Sequence, residues 1–223
     1  LSYYYLKDYN KALDHIIYAK FYIAFDDYRE IKRILMLEGI CNTKIDNYDG
    51  AIRNYNKALE MINKENVEEM CLLYINFLQI YADKNEREKV IEYLNNILEY
   101  VPKIDKNSFC SVHVFLSMAK TYKYLGDLNS YEEYLNKTLT VAYENKDNYS
   151  FGQVVSLLMD LYIENDNYEK IESLIKKYEK DIKNFSINDS FAVILKSIYC
   201  FIDQDKNWEA KYFIKTILEK GEV

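Results

Sequence analysis

The sequence is poor in the residues that interrupt helices. It contains one proline and five glycines in 223 residues. A fold built mainly from β-strands needs many turns with special backbone geometry, and glycine and proline usually supply them. The scarcity of both residues therefore argues against an all-β fold and favours helices.

Histidine and cysteine are also scarce. The two histidines, His15 and His113, have no carboxylate or thiol at a spacing typical of metal ligands, and no phosphate-binding loop or hydrolase motif occurs. We therefore expect no metal, no cofactor and no enzymatic activity. The four cysteines lie far apart without a Cys-x-x-Cys pair, which is typical of reduced thiols and favours the cytoplasm; they are Cys41, Cys71, Cys110 and Cys200.

Positive charge and long apolar runs are missing as well. The chain has 29 Lys and Arg against 36 Asp and Glu, a net charge of −7, and no basic block. Binding to nucleic acid needs clustered positive charge against the phosphates. A membrane span needs about 18 consecutive apolar residues. The sequence predicts neither a nucleic-acid contact by this segment nor a membrane span.

What the sequence does contain is an internal repeat. Its clearest copy is Asn47-Tyr48, Ala51, Tyr55 and Ala58-Leu59, with helical spacing of apolar residues on both sides. The position of Ala51 in this pattern recurs every 39 to 41 residues, at Ala12, Ala51, Val90, Tyr131, Ile171 and Ala210. A fixed period of this length indicates a helical repeat protein, in which each unit is a pair of packed helices.

The turns inside these helix pairs share a chemistry. Asp and Asn side chains accept hydrogen bonds from the first N–H groups of a helix, and glycine adopts the left-handed conformation that closes one. Residues of this kind stand where we expect each turn: Lys7-Asp8, Asp46-Asn47, Asn85-Glu86, Gly126-Asp127, Asp166-Asn167 and Lys206-Asn207. Pro102 cannot continue a helix and is expected to mark a repeat boundary.

Tyrosine is the most over-represented residue, with 24 copies. The rings could form a stacking platform for a ligand. We favour packing between helices, because most of them fall at apolar helical positions, including Tyr48, Tyr55, Tyr74, Tyr81, Tyr122, Tyr162 and Tyr168. Trp208 has the same expected role.

The repeat resembles a known family. The spacing of Leu35, Gly39, Tyr48, Ala51, Tyr55, Ala58 and Pro102 is similar to that of the tetratricopeptide repeat (TPR), and the resemblance covers the whole chain. It implies an all-α, right-handed superhelical solenoid of about six helix hairpins, with a period longer than the 34 residues of the standard unit. The units are 1–24 (partial), 25–64, 65–105, 106–147, 148–185 and 186–223. We also expect the native N-terminal region to be missing before Leu1.

The same resemblance implies that the first helix of each hairpin lines a concave groove. The expected groove residues are Arg33, Met36, Ile40, Leu72, Ile75, Asn76, Gln79, His113, Leu116, Ser117, Lys120, Lys123, Gln153, Ser156, Asp160 and Tyr199. Apolar residues with a few polar groups among them are typical of a surface that holds a peptide. Lys120 and Lys123 precede Asp160, so we expect a directional ligand with its acidic end near the lysines.

The long period is similar to that of the RRNPP group of bacterial peptide-sensing regulators, which includes Rap phosphatases and PlcR-like transcription factors. This resemblance implies the sensor segment of a regulator that binds a short signalling peptide. A constitutive scaffold for a folded partner is the alternative, and a Rap-like protein acting on a response regulator is the third. We expect a homodimer through the terminal hairpins, which would cover Phe213, Ile214, Ile217 and Leu218.

Overall fold

The computed structural model describes residues 6–24 and 27–183, and all regular elements in these two ranges are helical. The α-helices there are α1 (Tyr9–Lys20), α2 (Tyr28–Lys44), α3 (Tyr48–Met61), α4 (Val67–Asp83), α5 (Arg87–Tyr100), α6 (Phe109–Leu125), α7 (Leu128–Glu144), α8 (Asn148–Glu164) and α9 (Tyr168–Lys183). A three-residue 3₁₀-helix, Val101–Lys103, follows α5. The predicted all-α fold is confirmed for these residues.

Consecutive helices pack against each other as hairpins: α2 with α3, α4 with α5, α6 with α7, and α8 with α9. Each of the predicted units between residues 25 and 185 contains one such pair. Helix α1 occupies the place of a second helix in unit 1–24 and packs against α2. This arrangement is that of a helical repeat protein, as predicted. The predicted unit 186–223 lies outside the described residues.

The chain forms two compact units, Leu1–Asp105 and Lys106–Val223. The division coincides with the expected boundary after the third repeat. Helix α5 ends at Tyr100, and Pro102 lies in the 3₁₀-helix just beyond it. Because proline has no N–H to donate and clashes with the preceding turn, the α-helix cannot continue through this position.

Each hairpin turn places a residue with left-handed backbone immediately before a helix-capping residue. The left-handed residues are Lys7, Asp46, Asn85, Gly126 and Asp166, with φ between 51° and 81°. The next residue accepts a backbone N–H three positions on, over 3.0–3.3 Å, in the turns of Asp8, Asn47, Asp127 and Asn167. Glu86 makes no such bond. The predicted turns are confirmed at these sites, and Lys206-Asn207 lies outside the described residues.

Gly39 permits a close approach of two helices in the second repeat. A Cβ added to Gly39 of α2 would lie 2.2 Å from Cε1 of Tyr55 in α3, well inside the roughly 3.5–4.0 Å of an ordinary carbon contact. The Tyr55 side chain is 1% exposed, and its hydroxyl lies 3.5 Å from Oγ1 of Thr43. The ring of Tyr55 therefore occupies the space that a larger residue at position 39 would need.

The repeated small-residue position is buried in each described unit. Ala12 is 6% exposed, and the other members are at most 1% exposed; they are Ala51, Val90, Tyr131 and Ile171. Burial at this position is therefore a property of the repeat, whatever the size of the residue. Ala210 lies outside the described residues.

The core of the first unit is built around aromatic rings of the second and third repeats. Phe77 is fully buried and lies 4.7 Å from the Tyr93 ring and 5.5 Å from the Tyr55 ring, measured between centroids. Tyr48, Tyr74 and Tyr81 pack at the edge of this cluster, so their predicted packing role is confirmed. Burial is the main cause of the raised pKa of Tyr93.

The core of the second unit also uses tyrosine. Tyr131, Tyr134, Tyr162 and Tyr178 are each at most 7% exposed, and Tyr122 stacks on Tyr134 at a centroid distance of 5.3 Å.

Among the described residues, no helix is long and apolar enough to cross a bilayer. Cys41, Cys71 and Cys110 are buried thiols, whereas Cys200 and Trp208 lie outside the described residues.

Candidate functional site

The predicted groove residues fall into register on the first helix of each described hairpin. Their positions are defined by the number of residues to the left-handed residue that follows each of these helices. Three repeat positions result: the first is Arg33, Leu72, His113 and Gln153; the second is Met36, Ile75, Leu116 and Ser156; the third is Ile40, Gln79, Lys120 and Asp160. Because they are three, four or seven residues apart, the positions share one helix face. We call these residues, with Asn76, Ser117 and Lys123 beside them, the candidate face.

The candidate face is mainly polar at its first and third positions and mainly apolar at its second. Side chains at the first and third positions are exposed or half-buried, whereas Ile75 and Leu116 at the second position are only 7% exposed. These two side chains contribute mainly to packing inside their hairpins and offer a ligand little surface. Met36 and Ser156 at the same position are half-buried.

In the first unit, the candidate face is carried by α2 and α4. Met36 and Ile40 pack against the aromatic core, and an ion pair between Lys32 of α2 and Glu69 of α4 connects the two helices. The half-buried amide of Asn76 makes no hydrogen bond with any other side chain in the described ranges. Gln79, one turn further on, donates to Asp83 at 2.7 Å.

Leu72 and Arg33 occupy the first position of the candidate face in the first unit. Leu72 is half-buried on α4. Arg33 on α2 is exposed, and its guanidinium lies 3.7 Å from the Glu30 carboxylate within the same helix. Exposed ion pairs of this kind contribute little stability, about 0–1 kcal/mol, so an incoming anion can compete for Arg33.

In the second unit, the candidate face is carried by α6 and α8. His113, Lys120 and Lys123 are exposed on α6, and Lys120 forms no ion pair with any residue in the described part of the chain. On α8, Gln153 and Asp160 are half-buried. The amide of Gln153, like that of Asn76, forms no hydrogen bond within the described ranges.

Tyr131 connects the basic and acidic parts of this face. It lies on α7, is 1% exposed, and has the ammonium of Lys123 5.3 Å from its ring centroid. Burial raises the pKa of Tyr131, and the negative charges of Asp160 and Glu164 raise it further. Lys123 of α6 and the carboxylates of α8 therefore both act on one buried phenol.

The chemistry of the candidate face is that of non-covalent recognition. It offers amide groups, ammonium groups and a carboxylate over apolar side chains. No group of three His, Cys, Asp or Glu residues that could hold a metal occurs in ranges 6–24 and 27–183. The predicted groove residue Tyr199 lies outside these ranges, so the described face ends with α8.

Sequence reasoning missed a polar network that joins α7, α8 and α9 of the second unit. Glu132 of α7 accepts hydrogen bonds from the Tyr162 hydroxyl at 2.9 Å and from the Lys170 ammonium at 2.6 Å. Burial first, and then this bond, raises the pKa of Tyr162 to about 12. Tyr162 is 30 residues from Glu132 and Lys170 is 38 residues away, so no local sequence pattern could have indicated the network.

No family model matches this chain, and no curated protein matches it. The solved structures similar to it include the following two. One is BtubC (BKLC) from P. vanneervenii, with a TM-score of 0.71 and 11% sequence identity over 96% of this chain and 88% of that one. The other is a Rap protein complexed with Competence and Sporulation Factor, with a TM-score of 0.63 and 14% identity over 99% of this chain and 72% of that one.

These two likenesses confirm the helical-repeat fold that the sequence predicted. At identities of 11% and 14% they concern the fold. A fold can carry different functions, so the choice of ligand depends on the residues of the candidate face.

Proposed function

We propose that this chain is the ligand-binding part of a bacterial transcription regulator and that it responds to a short signalling peptide. The peptide lies on the candidate face, and the hairpins are TPR-like units with a long period. The single observation that carries this proposal is the pair of half-buried amides, Asn76 and Gln153, which have no partner among the described side chains. The proposal assigns the chain no catalytic role and places it in the cytoplasm as a homodimer.

The amides favour a peptide because of what they can bind. A side-chain amide donates and accepts, which matches the N–H and C=O groups of an extended peptide backbone. Each such bond contributes about 0.5–1.5 kcal/mol net, and more is lost when a half-buried group has no partner. Asn76 in the first unit and Gln153 in the second therefore each gain from a ligand with backbone amides, and within either unit affinity accumulates over neighbouring repeats.

The charges in the second unit favour one direction of binding. Lys120 and Lys123 on α6 suit a carboxylate or acidic side chain of the peptide, and Asp160 on α8 suits its amino end. Asp160 already takes part in other interactions, so its contribution is smaller than that of Lys120. Binding can be transmitted because small shifts between neighbouring hairpins add along a repeat array.

Two similarities to other proteins also support the proposal. The similar Rap protein was solved in complex with a factor, and the long period resembles that of the RRNPP regulators.

The first experiment is native mass spectrometry of the protein taken from its source cells. We expect a co-purifying short peptide, which can then be released, sequenced and synthesised. Its affinity is measured by isothermal titration calorimetry with wild-type protein and with the variant Lys120→Glu/Lys123→Glu. Loss of the charge-assisted bonds should weaken binding by at least about tenfold, or about 1.4 kcal/mol.

A matched control separates a specific contact from a change in net charge. Lys57 and Lys64 are exposed in the first unit, away from the candidate face, so Lys57→Glu/Lys64→Glu changes the charge equally and should leave the affinity nearly unchanged. Equal weakening by both variants would contradict the directional contact. A protein-sized partner in place of a peptide would contradict the sensing function.

The alternative is a constitutive scaffold for a folded partner, and one observation favours it. Five large apolar side chains near α1 are exposed: Ile17, Tyr18, Phe21, Tyr22 and Tyr28, with Phe21 and Tyr22 at least 80% exposed. Exposed apolar side chains in such number are typical of protein contact surfaces. A Rap-like action on a response regulator is the third possibility.

A further inference from the structure

The second unit contains an open cavity of about 230 Å³ between its second helices. Its described lining residues come from α7, α8 and α9, and none of them belongs to the candidate face. They are Asn136, Leu139, Tyr162, Lys170, Ser173, Leu174, Lys177 and Tyr178. The peptide proposal leaves this cavity without a role.

The described lining of this cavity is basic, whereas the chain as a whole is acidic. The protein has a net charge of −7, yet the described lining residues include two lysines and no carboxylate. The Lys170 ammonium is compensated, because it lies 2.6 Å from Oε1 of Glu132, which also holds the Tyr162 hydroxyl. The second cation, Lys177, has no such compensation.

Lys177 is placed to receive an anion. Its ammonium lies 4.9 Å from the centroid of the Tyr178 ring and forms no ion pair with any residue of the described chain. Ser173 precedes it by one helical turn, and its hydroxyl likewise has no hydrogen-bond partner among the described residues. An ammonium and a hydroxyl one turn apart on a helix can contact the same acid group.

The remaining described wall is mixed, with the apolar side chains of Leu139 and Leu174 beside the polar groups of Asn136 and Tyr162, and the volume of the cavity limits the size of the ligand. Leu139, Leu174 and Tyr178 are at most 8% exposed. A volume of 230 Å³ corresponds to roughly seven or eight water molecules at about 30 Å³ each, below the usual size of a drug-binding pocket. The cavity therefore has room for a small molecule and not for a protein segment with bulky side chains.

We propose that this cavity binds a small organic anion, in which a phosphate or carboxylate group is attached to a short apolar body. The acid group contacts Nζ of Lys177 and Oγ of Ser173. The apolar body contacts the small exposed parts of Leu139 and Leu174, so most of the affinity comes from the acid group. Glu132 holds Tyr162 and Lys170 in place on the other side of the cavity.

The test is a calorimetric titration of the full chain with four probes: phenyl phosphate, benzoate, benzyl alcohol and inorganic phosphate. We expect saturable binding of at least one aryl anion, at least about tenfold tighter than benzyl alcohol and inorganic phosphate. The comparison of phenyl phosphate with benzoate decides which acid group the site prefers. Failure of both aryl anions to bind, or equally tight binding of inorganic phosphate, overturns the proposal.

Two variants on the same helix make the test specific. Lys177→Met keeps the apolar stem and should weaken binding of the preferred anion by about tenfold, as expected for the loss of one charge-assisted contact. Lys176→Met makes the same change in net charge at the neighbouring residue, which pairs with Glu172 at 2.8 Å, and should alter the affinity by less than about twofold. Equal effects would overturn the assignment of Lys177.

The Ser173→Ala variant adds a smaller, separate measurement. Loss of a neutral hydroxyl should weaken binding by about three- to tenfold. Circular dichroism confirms that each variant remains helical. Because no residue of the candidate face is involved, failure of this test leaves the peptide proposal unaffected, and failure of the peptide proposal leaves this one unaffected.

Discussion

The close contact between Gly39 and Tyr55 allows a quantitative test of hairpin packing. In the variant Gly39→Ala, the new Cβ would stand 2.2 Å from Cε1, 2.6 Å from Cδ1 and 2.8 Å from Cζ of Tyr55. Restoring a contact of about 3.5 Å requires a movement of more than about 1 Å. The Tyr55 ring cannot easily make this movement, because it is 1% exposed and packs edge-on against Phe77 at 5.5 Å.

Two opposing effects decide the magnitude for Gly39→Ala. Overpacking a core costs about 1–3 kcal/mol, and the confined ring places this site at the upper end. Replacing glycine by alanine inside a helix contributes about 1 kcal/mol in favour of folding. We therefore expect a net loss of about 2 kcal/mol in the free energy of unfolding, measured by urea denaturation followed by circular dichroism. Native-state hydrogen exchange should place the loss in α2 and α3.

A comparison in the Tyr55→Leu variant shows whether the Tyr55 ring causes the loss of stability in Gly39→Ala. Tyr55→Leu removes the clashing atoms at its own cost in stability, and in that background Gly39→Ala should be neutral or stabilising by up to about 1 kcal/mol. If Gly39→Ala does not destabilise the wild-type protein, or costs the same in both backgrounds, the packing argument for this hairpin is wrong.

Two further predictions concern a helix start and a buried phenol. Asn47→Ala should lower the free energy of unfolding by about 1 kcal/mol, because the Asn47 side chain caps the N–H of Gly50 at 3.2 Å. Glu86 occupies the equivalent site without a capping bond. Glu86→Ala should therefore lower the free energy of unfolding clearly less in the same denaturation assay. Tyr162 has its pKa raised from 10.0 to about 12, so only the unfolded chain ionises as pH rises past 10. Its contribution to stability is complete below pH 10 and is lost towards pH 12, and Tyr162→Phe should show a flatter decline of stability over this range. An identical decline in both proteins would contradict the shifted pKa.

The local features of the fold could be predicted because each depends on neighbours in sequence. A capping residue needs only the N–H groups three positions on, so Asn47 and Asp127 were identifiable from residue type and period. Gly126 adopts the left-handed conformation expected of it, with φ of 81°. The turn before α8 was not predicted, although Lys146 and Asp147 repeat the same pair of conformations, because it joins two hairpins and lies outside the period that placed the other turns.

The candidate face could be predicted only as a list of positions. The period placed equivalent residues in register, but exposure depends on packing between repeats. Ile75 and Leu116 are buried although they belong to the predicted groove. The Asp83 carboxylate that engages Gln79 lies four residues away and was within reach of sequence reasoning. The contact between Lys123 and Tyr131 could not be predicted from the sequence. It depends on how the large Tyr131 side chain is accommodated at a repeat position that is alanine in three of the other repeats.

The two-residue turn has a consequence for how such a protein can lengthen over evolution. At Asp46-Asn47, one residue reverses the chain and the next starts the following helix, and the capping bond reaches only three residues ahead. The residues that reverse the chain therefore lie inside a single hairpin. Duplicating or deleting the gene segment that encodes a hairpin would preserve them, so the number of hairpins can change while the turn inside each hairpin stays the same.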